Sequence, residues 1–94
     1  MKVIKTADLM IDLNQKTVWK GEKKISLQMA EYVLLIKLVT NPKQIILQDN
    51  LLKAMEIYYR RDMSQETLRS HIYRLRSRLG TYKGEGYIDT KISF

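Results

Sequence analysis

The chain has 94 residues, no cysteine, one histidine and a formal net charge of +7, from 17 Lys and Arg against 10 Asp and Glu. That length suits one domain with a modest core. Without thiols, disulfides and thiol catalysis are excluded, and a single histidine leaves no basis for a zinc site, so neither metal nor cofactor is expected. The excess of cations points instead to a polyanionic partner.

No stretch approaches the roughly 18 consecutive apolar residues of a membrane span, and the N-terminal MKVIKTADLM lacks the apolar region and cleavage site of a signal peptide. A cytoplasmic protein without a membrane partner is the expectation.

From Leu9 to Leu27 the runs Leu9 to Leu13, Thr17 to Lys20 and Lys24 to Leu27 alternate or nearly so, and turn-prone Asn14-Gln15-Lys16 and Gly21-Glu22-Lys23 separate them. With an edge strand at Val3-Ile4, this predicts an antiparallel meander over about 3–27. Trp19 is expected in the core, since a lone large aromatic in a small sheet is more often packed than a contact residue.

Residues 28–40 are apolar on almost every side, with Gln28, Glu31, Lys37 and Thr40 as the clear polar exceptions, so a helix here belongs in the middle of the domain. Asn41-Pro42 ends it. Ile45-Ile46-Leu47 leads into a second helix, about 48–58, with Leu51, Leu52, Met55 and Tyr58 inward.

A third helix is predicted over 64–79. Leu68, Ile72, Leu75 and Leu79 fall on one stripe at helical spacing. The opposite face centres on Glu66, Ser70, Tyr73 and Ser77, with Arg69 and Arg76 on one shoulder and Arg74 and Arg78 on the other. Asp62 or Ser64 can cap its start, Arg76 and Arg78 complement the helix dipole at its end, and Gly80 supplies a stop. A helix so charged could be a solvated surface helix. Arginine forks interleaved with hydroxyls and a tyrosine favour guanine edges and phosphates, and so a nucleic-acid reader.

Between the second and third helices, Tyr59, Arg60 and Arg61 offer a protein contact surface; solvated arginines are the alternative. After Gly80, residues 81–86 read as a polar connection and 87–94 as a strand. Gly84-Glu85-Gly86 lacks the further glycine, the lysine-serine pair and the following helix of a phosphate loop.

In this order the elements resemble the effector domain of OmpR/PhoB-type response regulators, from about Ala7 to Phe94. The most specific stretch is Thr67 to Leu79, TLRSHIYRLRSRL, which follows a T-V-D-V-H-I-x-R-L-R-x-K-L pattern. Leu27, Glu31-Tyr32, Leu34-Leu35, Asn41-Pro42 and Leu51-Leu52 match as well.

The resemblance implies an α+β winged helix-turn-helix over residues 1–94: an N-terminal antiparallel β-meander, three helices and a C-terminal strand or wing at about 87–94. Its third helix would enter the major groove of double-stranded DNA, and a hairpin would reach the minor groove. Arg74 and Arg76 match pattern arginines and would contact DNA, mostly phosphates. Arg69, Ser70 and Tyr73 would face bases, with Ser77 beside them. Thr90 and Lys91 would contact DNA from the wing.

RNA polymerase would meet the loop before the third helix, and two domains would bind head-to-tail on DNA. His71 matches a pattern histidine, and packing or a phosphate contact suits it better than catalysis, so no enzyme is expected.

Glu66, Leu47 and Gln48 depart from the pattern, and Ile92 stands where a wing arginine is usual. The chain also ends where a closing strand would follow, so a shortened wing is expected. A second register places residues 81–87 on the wing turn instead. No acidic cluster of a receiver domain is found, which makes this the output half of a longer regulator or a stand-alone relative. An RNA-binding or non-specific nucleic-acid-binding module is the alternative.

Overall fold

The computed structural model describes residues 2–41, 44–59, 63–87 and 91–93. The chain opens with a four-stranded antiparallel meander of β1 (Val3–Thr6), β2 (Leu9–Asp12), β3 (Thr17–Lys20) and β4 (Lys23–Ile25), paired in that order. Asp12 shapes the turn after β2, its Oδ1 accepting from the amides of Asn14 at 2.9 Å and Gln15 at 3.1 Å.

Register decides which face is covered. Ile4, Ile11, Val18 and Ile25 lie opposite one another in successive strands and pack into the core. Because strand side chains alternate, Lys5, Met10, Trp19 and Lys24 form the matching row on the other face. Trp19 is therefore half-buried on the outer side of the sheet, not in the core as its size suggests. Burying Val18 turns its neighbour away.

Helix α1 (Met29–Val39) buries Ala30, Leu34, Leu35 and Leu38, and also Glu31. Thr40 ends it, with its amide bonding to Ile36 O, and Asn41 Nδ2 donates to Lys37 O at 2.7 Å. Pro42 lies outside the described residues. Strand β5 (Ile45–Leu47) runs into α2 (Gln48–Tyr59), where Leu51 and Met55 are buried and Leu52 is partly so. The side chain of Tyr58 lies outside the description. Helix α3 (Gln65–Leu79) packs its predicted stripe of Leu68, Ile72, Leu75 and Leu79 against α1 and α2, closing one core under the sheet.

The C-terminal part departs from the 87–94 strand. A hairpin of β6 (Thr81–Tyr82) and β7 (Glu85–Gly86) follows α3 directly. Its two-residue turn, Lys83-Gly84, has φ of 53° and 82°, the pair of positive values that a hairpin of this twist requires. Strand β8 (Lys91–Ser93) is short and pairs in parallel with β5, Ile92 opposite Ile46. Both isoleucines pack against the core, so Ile92 is a packing residue and does not occupy a wing position. The second register, with the turn within 81–87, is the one the chain adopts. Among the described residues no helix is long and apolar enough to cross a membrane.

Candidate nucleic-acid interface

Helix α3 is fixed at both ends. Ser64 is its N-cap, Oγ accepting from the Thr67 amide at 3.1 Å and pairing with Thr67 Oγ1 at 2.8 Å. Asp62, the other candidate cap, lies outside the described residues. At the far end Gly80 has φ 67° and ψ −144°, a conformation open essentially to glycine alone. Its amide donates to Arg76 O at 3.0 Å.

With the leucine-isoleucine stripe buried, the opposite face is exposed. Arg69, Ser70, Tyr73, Arg74, Arg76 and Ser77 all lie there, as the wheel predicts. Tyr73 is 74% exposed. Arg74 and Arg76 are exposed and form no ion pair among the described residues. Two cations and an aromatic ring with hydroxyls between them thus stand on a rigid helix, an arrangement able to bond phosphates and base edges together.

Arg78 does not belong to this face. Its Nε lies 3.1 Å from Oε2 of Glu31, which is fully buried, and its Nη1 donates to Ser26 O at 2.8 Å. Glu31 Oε1 accepts from the Gln28 amide at 2.8 Å, so one carboxylate ties the start of α1 to the end of α3. The sequence does not disclose this pair. A lone acid inside an almost wholly apolar helix is the only signal that it needs a cation.

His71 is half-buried, and its Nδ1 is buried without a hydrogen-bond partner among the described residues. Burial first, then the charge of Arg74, push its pKa below the usual 6.5, while Glu31 pulls the other way. The shift favours the neutral ring near pH 7.

The hairpin projects beside the C-terminal end of α3 with Lys83 at its turn, and a cleft of about 260 Å³ lies between them, lined by Arg76, Ser77, Thr81 and Tyr87 among others. Of the wing residues expected from the sequence, Thr90 is outside the described residues. Lys91 lies on β8, paired with β5, and its side chain is not described. Arg60 and Arg61 also fall outside the description. Tyr59 closes α2, but its side chain is not described.

Comparison with known proteins decides the family. The family described as "Transcriptional regulatory protein, C terminal" matches residues 21–93. The chain belongs to that family. A relative of these C-terminal domains, transcriptional regulatory protein QseB of Haemophilus influenzae, is 32% identical over 90 residues, which is 90% of this chain and 40% of QseB.

The RstA DNA-binding domain of Klebsiella pneumoniae, solved in complex with the RstA box, has a TM-score of 0.73 at 27% identity, covering 96% of this chain and 98% of that one. DrrB of Thermotoga maritima, an OmpR/PhoB homologue, gives 0.72 at 26%, covering 94% of this chain and 44% of DrrB. The fold is the winged helix of OmpR/PhoB regulators. As a member of the C-terminal regulatory family, the chain spans about two fifths of the length of the curated relatives it matches.

Proposed function

We propose that this chain binds double-stranded DNA sequence-specifically, as the output domain of a bacterial transcription regulator or as a stand-alone relative. The observation that carries the reading is the exposed face of α3: Arg69, Ser70, Tyr73, Arg74, Arg76 and Ser77 on one capped helix, with a hairpin beside its end. The RstA domain, matched over nearly all of both chains, was solved on its DNA box, which supports the same mode here. In this reading α3 lies in the major groove and the β6–β7 hairpin meets the adjacent minor groove. Arg74 and Arg76 hold phosphates, while Arg69, Ser70 and Tyr73 face bases, with Ser77 between them.

Lys83, whose turn stands at the hairpin tip, joins Thr90 and Lys91 as a wing contact in this reading. The activity is binding rather than catalysis, and it takes place in the cytoplasm, where bacterial DNA is found. RNA polymerase contact through the loop before α3 and head-to-tail pairing on half-sites complete the proposal.

Selection of bound duplexes from a randomised library at physiological salt tests it. An enriched motif is the expected result, with specific sites exceeding random DNA by about a thousandfold. Arg74→Ala should weaken binding to every duplex and reduce the slope of log affinity against log salt by about 0.9. Tyr73→Ala should instead change the enriched motif. Retention of duplexes with no motif, or preference for single-stranded RNA stacked on Tyr73 and Tyr82, would favour the non-specific or RNA-binding alternative.

A further inference from the structure

A helix leaves its last carbonyl groups without partners inside the helix. The last carbonyl of α3 and the first of β6 share a partner in Lys20, which arrives from β3. Its Nζ donates to Leu79 O at 3.0 Å and to Thr81 O at 3.1 Å. The same ammonium lies 5.5 Å from the centre of the Tyr87 ring, and the Tyr87 hydroxyl donates to Asp8 Oδ1 in the turn between β1 and β2. A Cβ placed on Gly80 would stand 3.1 Å from Nζ. Lys20 therefore occupies a seat formed by the end of α3, the first residue of the hairpin and the ring that follows it.

Gly80 is the sole residue between α3, which ends at Leu79, and β6, which starts at Thr81. The angle between helix and hairpin consequently turns on the two backbone dihedrals of one glycine, the residue least able to hold them unaided. Lys20 bridges the carbonyls on either side of it. A lysine is well matched to this seat, because one compact cation carries three donors, meets the negative end of the helix dipole and rests on an aromatic face.

We infer that Lys20 is a positioning residue for DNA recognition, setting the angle between the recognition helix and the wing hairpin without itself touching DNA. This rests on the DNA-binding reading above.

The test compares the wild-type chain with Lys20→Met, which keeps the length and removes the donors. Three quantities are read: the thermal melt, the ratio of affinities for selected and random duplexes, and the salt slope on random duplexes. The expected result is a cooperative melt, an unchanged slope and a specific-to-random ratio lowered by about tenfold, the scale of one imperfectly met base pair. A slope reduced by about 0.9 would overturn the proposal, because Lys20 would then be a phosphate contact. An unchanged ratio would overturn it as well.

Amide hydrogen exchange needs no DNA and separates this inference from the functional reading. Protection of the Gly80 amide and of the hairpin should fall by about tenfold in Lys20→Met while α1 is unaffected. Unchanged protection would overturn the positioning role even where selection finds a motif. If wild-type selection finds no motif, the DNA reading fails and with it the recognition role, whatever the exchange shows. Should Lys20→Met lose its cooperative melt, Lys20→Gln, which retains a shorter donor, is measured in its place. Loss of the melt in both would also overturn it, since Lys20 would then serve folding alone.

Discussion

Glu31 and Arg78, 47 positions apart in the chain, meet with Oε2 and Nε 3.1 Å apart, the acid fully buried and the guanidinium side chain 39% exposed. The two sides of this pair have unequal alternatives. Arg78 can turn to water when its partner is lost, whereas Glu31 cannot. Arg78→Ala should therefore cost about 2–3 kcal/mol, below the full penalty of stranding a buried charge because the pair reaches solvent. Glu31→Gln should cost about 1 kcal/mol, as the amide oxygen still accepts from Gln28. Urea unfolding measures both, and equal costs would show that stranding the buried carboxylate is not what makes the arginine change expensive.

His71 gives a pH dependence of definite sign. Its pKa in the fold lies below 6.5, through burial and then Arg74, against the pull of Glu31. On acidification the unfolded chain therefore takes up a proton before the native one, and stability falls as pH drops through 6.5, levelling off below the native pKa. Unfolding midpoints at about pH 7.5 and 5.5 should differ less in His71→Gln than in the wild type. An identical difference in both would assign the acid sensitivity to other groups.

Tyr87 should ionise late. Desolvation, followed by the hydrogen bond and charge of Asp8, pushes its hydroxyl up to about 12. The stabilisation linked to the neutral phenol is present below the ordinary value of 10.0 and is lost as pH rises towards 12. An ultraviolet titration should show a tyrosine step near pH 12, and Tyr87→Phe should abolish that step. Persistence of that step in the variant would place it on another ring.

Gly80→Ala combines two costs, a positive φ with extended ψ and a Cβ close to Lys20 Nζ. A loss of about 2 kcal/mol is expected from the backbone alone. Gly84→Ala, in open space at a φ of 82°, lacks the second cost and should be the milder change. Thermal melts of the two variants give the comparison, and similar losses would mean that Lys20 yields freely.

Much of this is legible in the sequence because periodic signals are local. The stripe from Leu68 to Leu79, the Ser64 cap and the glycine stop delimit α3 within a few residues, and alternation with turn residues marks the meander. What stays hidden depends on partners distant in the chain. Nothing near Glu31 announces Arg78. Size alone misplaces Trp19, whereas the row from Ile4 to Ile25 leaves it only the outer face. The hairpin is easily overlooked because its turn begins with lysine rather than the asparagine or aspartate that usually accompanies glycine there. The exposed face of α3 can be drawn from the wheel, except that the wheel counts Arg78 with it.

The β6–β7 hairpin has two paired positions and no loop residues beyond Lys83 and Gly84. An arm so short behaves as a fixed gauge. The length of the arm from Gly80 to its tip is set by backbone count and turn geometry, and Lys20 bears only on its direction. Substitutions at the tip can change what is touched, but only insertion or deletion can change how far the arm reaches.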